Sequence, residues 1–180
     1  MKTILIIVVV SLVGLVAFGV AYNFVISPPT TTTITSTSQA AGLTLTISGE
    51  VTRPGTYVLD SGAKMIDLIT AAGGTTSNAD YLAWNAEFEC ANKGSYYIAP
   101  IYDNSNTCSL EPIKKANLNA DDAQTLQEVA GFTKTVANAI VNYRISNSFA
   151  CLEDMKNVSG VGQATYISTR DKLTLRGKEA

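Results

Sequence analysis

Residues 43–51, LTLTISGEV, alternate apolar Leu43, Leu45 and Ile47 with polar Thr44, Thr46 and Ser48. That is the period of a strand with one face buried. Pro54-Gly55 marks a turn, and the pattern predicts a second short strand over Thr56–Leu59. The period then lengthens. In AKMIDLITAAGG, residues 63–74, Met65, Ile66, Leu68, Ile69 and Ala72 fall on one face of a helix. Asp60 or Ser61 is placed to cap its start, and Gly73-Gly74 to end it. GSYYIAPIY, residues 94–102, reads as a later strand.

Beyond residue 111 the pattern is helical and repeats itself. LQEVAGFT, residues 126–133, aligns with MKNVSGVG, residues 155–162, at an offset of 29. Leu126 matches Met155, Val129 matches Val158, Gly131 matches Gly160 and Phe132 matches Val161. Two copies of one supersecondary unit explain this most simply, each a short helix, a glycine turn and a second helix. In the first copy Asn119 is expected to cap ADDAQTLQEV, with TKTVANAIVNYRI turning Val136, Ile140 and Val141 inwards. In the second, LEDMKNV precedes the turn and QATYISTRDKL follows it.

The N-terminus follows neither pattern. Ile4 to Ile26 carries no charge, and about 20 apolar residues suffice for a membrane-spanning helix. A secretory apolar region is roughly 7–15 residues, which favours a retained anchor. Gly19-Val20-Ala21 has the small residues of a cleavage site, so a cleaved signal peptide is the alternative. With Lys2 before the span and no further cation until Arg53, the N-terminus is expected in the cytoplasm and the rest outside the cell. Residues 27–42, SPPTTTTITSTSQAAG, bury too little apolar surface to offset ordering entropy and read as a linker. The division expected is an anchor over 1–26, a linker over 27–42, and domains over 43–110 and 111–180.

Composition narrows the chemistry. The chain has 13 Lys+Arg, 15 Asp+Glu and no His. Residues 28–110 carry a net −4 and residues 111–180 a net +1, so charge alone does not mark a nucleic-acid binder. Without His, and with cysteines outside C-x-x-C spacing, neither a structural metal nor a cofactor is expected. No nucleophile–base pair stands out, and an enzyme is not expected. Cys90 and Cys108, separated by 17 residues, are spaced for a disulfide worth about 3 kcal/mol, two separate thiols being the alternative. Cys151 reads as a small packing residue.

Two resemblances organise these parts. The run ISGEVTRPGTYVL…MIDLITAAGGTTSNAD…YYIAP resembles the soluble-ligand-binding β-grasp family over residues 43–102, which implies a ubiquitin-like α+β module for binding or assembly. Residues 116–175 resemble the paired helix-hairpin-helix units of ComEA-type competence proteins: the opening N-L-N, the Y-R before Phe149, the L-E-D-M helix, the V-S-G-V-G turn and the closing L-T-L. The fold implied is α+β overall: a transmembrane helix, a small β-grasp domain, then an all-α tandem hairpin domain.

The order of parts resembles Gram-positive-type ComEA, which implies an extracellular receptor that binds double-stranded DNA without sequence preference. It also implies DNA-uptake channel or pilus components as partners, and self-association. The glycines let a backbone approach phosphate, and N–H groups at the following helix start meet its oxygens. The residues implied are Gly131, Thr133 and Lys134 in the first hairpin, Gly160, Val161, Gly162, Gln163 and Ala164 in the second, and Lys172. Thr133 stands where the pattern has a second glycine, and the usual basic residue inside the following helix is replaced by Val136 and Ala164. The second hairpin is therefore expected to be the stronger phosphate site. The rival reading is an envelope scaffold that binds polysaccharide or protein, with hairpins serving only as packing.

Overall fold

The structure is a computed structural model that describes residues 42–103 and 111–177. The expected span 4–26, the linker up to residue 41 and Cys108 lie outside the described residues. Among the described residues no helix is long and apolar enough to cross a membrane.

The alternating segment forms β1 (Leu43–Gly49), antiparallel to β2 (Gly55–Leu59), with Leu45 opposite Tyr57. Helix α1 (Met65–Ala71) follows, and β3 (Ser95–Ile98) returns parallel to β1, giving the order β2-β1-β3. Leu45 and Ile47 point from the central strand onto Met65, Leu68 and Ile69 of α1, in a core shared with Tyr96 and Ile98. Ile66 does not join them. It stays 39% exposed, because residues 65, 68, 69 and 72 already fill the width of the buried stripe. Neither Asp60 nor Ser61 caps α1. The helix begins later, and Asp67 accepts from the Lys64 N–H at 2.9 Å from within the first turn. Its end is the expected one: Gly73 (φ 82°) and Gly74 (φ 89°) are left-handed, and the Gly74 N–H reaches back to the Ile69 carbonyl at 2.9 Å.

The second part is helical but not purely so. A two-residue strand β4 (Ala116–Asn117) pairs in parallel with β5 (Leu173–Thr174), tying its beginning to its end. Between them lie α2 (Ala123–Thr125, continuing as a π turn over Leu126–Ala130), α3 (Lys134–Ser146), a 3-10 helix (Leu152–Asn157) and α4 (Gln163–Thr169). Asp122, not Asn119, caps α2, accepting from the Thr125 N–H at 2.7 Å. Asn119 instead joins three segments. Its amide donates to the carbonyls of Phe149 and Leu175, and its oxygen accepts from the Phe149 N–H. Val136 and Ile140 are buried as their spacing predicts, while Val141 is only partly covered.

The two parts share their cores. Cys151, from the stretch between the hairpins, is buried with the sheet-bearing part, while Ala83 and Ala99 are buried with the hairpins. Residues 40–180 cluster as one compact unit.

Candidate nucleic-acid interface

The two hairpins have equivalent turns. In the first, Gly131 ends the π turn in the left-handed region (φ 81°, ψ 24°), Phe132 is buried, and Thr133 is the N-cap of α3. In the second, Gly160 is left-handed (φ 88°), Val161 is buried, and Gly162 is the N-cap of α4. Each middle residue inserts between the helices of its hairpin and leaves its two neighbours exposed. The turns also lie close together. A Cβ on Gly160 would sit 3.3 Å from Val136 Cγ2, in the first turn of α3.

Their glycines are required for different reasons. Gly131 and Gly160 hold positive φ, where a side chain is strained. Gly162 does not: at φ −90°, ψ 174° its backbone is ordinary extended chain, and a Cβ would meet nothing within 4 Å. Nothing within the fold requires glycine there. What glycine supplies is bare backbone facing outwards.

The caps differ accordingly. Thr133 Oγ1 accepts from the Val136 N–H at 3.3 Å, so one orphan donor of α3 is satisfied internally, and the hydroxyl proton remains free to donate outwards. Gly162 has no side chain to do this, and the N–H groups of Gln163, Ala164 and Thr165 at the start of α4 precede any intrahelical partner. Gln163 and Ala164 are exposed. The second turn is thus a set of open, outward donors at the positive end of a short helix.

The cations are unevenly placed. Lys134 is exposed at the start of α3, beside the turns. Lys156 is exposed with its Nζ 4.3 Å above the Tyr166 ring. Arg170, though cationic and close in sequence to the second hairpin, is withdrawn from any phosphate role: its guanidinium stacks 3.5 Å from the Tyr97 ring centroid, and its Nε is buried. Lys172 borders a cleft with Tyr97, Pro100 and Asp171, next to β3.

That stacking belongs to a polar network that periodicity does not reveal. Glu153 Oε1 accepts from the Tyr97 N–H of β3 at 2.8 Å and from the Tyr166 hydroxyl of α4 at 2.7 Å. Tyr97 in turn donates its hydroxyl to Asp171 at 2.7 Å. Both helices of the second hairpin are therefore fastened to the sheet. Burial raises the Glu153 carboxyl above its ordinary range, an effect opposed by the Tyr166 hydrogen bond. Burial likewise raises the hydroxyls of Tyr97 and Tyr166. The partners are 56 residues apart, and a lone Glu in a short polar run gives no local sign of the contact.

Burial pushes Cys90 up to about 11, against a lowering hydrogen bond from Tyr96, and raises Cys151 further. Cys90 and Cys151 are both buried, and Cys108 is outside the described residues. Among the described residues no cluster of three or more His, Cys, Asp or Glu side chains is arranged to hold a metal.

Comparison with known proteins matches these two parts. The helix-hairpin-helix motif family matches residues 111–174, and the SLBB domain family matches residues 44–83. ComE operon protein 1 of Bacillus subtilis (strain 168) is 27% identical over 145 residues, covering 74% of this chain and 70% of the relative.

Proposed function

We propose that this chain, a ComEA-like protein with an SLBB domain followed by a helix-hairpin-helix region, binds double-stranded DNA by its phosphates and without reading sequence. The observation that carries this reading is Gly162. Its conformation and surroundings accept a side chain, yet the position is bare and exposes the unpaired N–H groups of Gln163 and Ala164. A phosphate oxygen is the natural partner of such a helix start. Lys134 and Lys156 flank the turns, and the free Thr133 hydroxyl offers the first hairpin a weaker contact. Contacts of this kind position a duplex and carry no base information.

The strand order β2-β1-β3, with β3 parallel to β1, supports reading residues 43–110 as a ubiquitin-like β-grasp domain. Residues 4–26 are proposed to anchor the chain in the cell membrane with residues 43–180 outside, and uptake-channel or pilus components as partners. On this reading the chain is a receptor for DNA uptake in transformation and not a catalyst. A Cys90–Cys108 disulfide is proposed alongside, checked by peptide mapping of the non-reduced protein. Recovery of both as free thiols removes it.

The experiment that tests the DNA reading is retardation of duplex DNA by the full chain across a salt series. With Arg170 withdrawn, Lys134, Lys156 and Lys172 remain as side-chain contacts. At roughly −0.9 per neutralised phosphate, log K is expected to fall against log salt with a slope of about −2 to −3. A slope near zero, or no retardation at low salt, sinks the proposal in favour of structural hairpins.

A further inference from the structure

The first turn of α4, Gln163-Ala164-Thr165, carries no cation of its own, so a positive side chain beside Gly162 must come from elsewhere in the fold. Lys156 comes from the helix before the turn. It lies three residues after Glu153 in the 3-10 helix Leu152–Asn157. Such a helix completes a turn in three residues, so both side chains leave from the same side. Both reach Tyr166. Glu153 Oε1 accepts from the Tyr166 hydroxyl at 2.7 Å, and Lys156 Nζ stands 4.3 Å from the centre of the same ring. Tyr166 is itself one turn into α4, its N–H bonded to the Gly162 carbonyl at 3.0 Å. One aromatic side chain therefore joins the helix before the turn to the helix after it.

The kind of partner matters. A carboxylate beside a lysine would hold it but would also cancel its charge. An aromatic face attracts the ammonium through its quadrupole and leaves the whole charge available. Among the described residues Lys156 forms no salt bridge, and it is exposed although the Tyr166 beneath it is buried. Arg170 makes the contrast: stacked on Tyr97 with its Nε buried, it is enclosed, whereas Lys156 presents its N–H donors to solvent. The ring that holds Lys156 is also fixed in place. Its hydroxyl is tied to the Glu153 carboxyl, which is tied in turn to β3 through the Tyr97 N–H. A lysine held this way gives up less rotamer freedom on meeting a phosphate than a free one does. We propose that Tyr166 is a positioning residue for phosphate binding, its ring holding the charged Lys156 beside the second turn. This inference rests on the DNA reading and adds to it the residue that sets where the cation stands.

The test measures duplex retardation by the full chain, with substitutions combined in pairs. Lys156→Ala is expected to weaken binding about tenfold at about 50 mM salt and to reduce the salt slope by about 0.9. In a Tyr166→Leu background the same change should cost less than about threefold, because the ammonium is no longer held there. Gly162→Val acts on the bare backbone and should cost the same in both backgrounds. A hairpin that had merely come loose would lose both dependences. Tyr166→Phe keeps the ring and should restore the full cost of Lys156→Ala. Proton NMR of the wild-type chain gives a second measurement that needs no variant to fold: the ring should shift the Lys156 ε-methylene protons upfield of those of Lys134. If the wild type fails to retard duplex DNA, the DNA reading falls and this inference with it. If the wild type binds, three results overturn the inference alone: an equal cost of Lys156→Ala with and without the ring, loss of the Gly162→Val dependence in the Tyr166→Leu background, or unshifted Lys156 protons.

Discussion

The two hairpins begin from the same turn and spend its donors differently. The first closes its helix start with Thr133 and then runs a 13-residue helix, with Phe132 buried at the turn. The second has short helices, no side-chain cap at Gly162, and a carboxylate, Glu153, that fastens it to the sheet. Self-sufficiency and openness trade against each other here. A capped helix is stable by itself but has fewer free N–H groups. An open one exposes them and relies on its neighbours for support. The second hairpin borrows that support from β3.

The largest expected effect tests which hairpin carries the core. Phe132→Ala should destabilise by about 3–5 kcal/mol, because the cavity it leaves is lined by packed side chains. Val161→Ala removes less volume and should cost about 2 kcal/mol. Denaturant unfolding of the full chain measures both. Equal losses would mean that the turns contribute alike and that the asymmetry of the hairpins is not energetic.

Next in size is the exchange of function between the caps. Gly162→Val should weaken duplex binding at least tenfold, about 1.4 kcal/mol, equally for unrelated DNA sequences. Thr133→Val should do the reverse: a loss of about 1 kcal/mol in stability with DNA affinity little changed. Gly160 is the poorer probe, since any side chain at its φ of 88° strains the fold as well as the site. If Thr133→Val weakens binding more than Gly162→Val, the first hairpin is the principal phosphate site.

The smallest effect concerns the fastening to the sheet. Burial raises the Glu153 carboxyl above the ordinary 4.5, so the folded state holds its proton more tightly than the unfolded chain does. Its contribution to stability is therefore greatest below that value and declines as pH rises through the raised pKa. Glu153→Gln keeps an oxygen to accept from Tyr97 and Tyr166 while removing the titration. The melting temperature of the variant, relative to wild type, should rise from acid to neutral pH. A relative fall over that range would mean that the network favours the ionised form.

Local patterns carried much of this into view. Alternation at Leu43, Leu45 and Ile47, the helical spacing through Leu68 and Ile69, and the 29-residue repeat each express a rule that acts within a few residues or between two copies of one unit. Leu126 with Met155 and Phe132 with Val161 could be matched because the same burial is required twice, and both pairs are buried. The open cap was legible as a difference between copies, Thr133 against Gly162.

The rest depended on residues far apart in the chain. Asn119 has the composition of a helix cap, yet it joins Phe149 and Leu175, because Asp122 lies nearer the helix start and takes the cap. Arg170 has the charge of a phosphate ligand, but the Tyr97 ring draws it away from the solvent. Strands β4 and β5 are two residues each, too short for any period, and exist because the two ends of the hairpin region meet. The sequence by itself determined the longer strands and helices, the repeat and the bare backbone of the second turn, since propensity, periodicity and glycine chemistry are local. The tertiary structure alone decided how the sheet holds the second hairpin and which cations stay free, since burial and pairing depend on what distant segments bring to the same place.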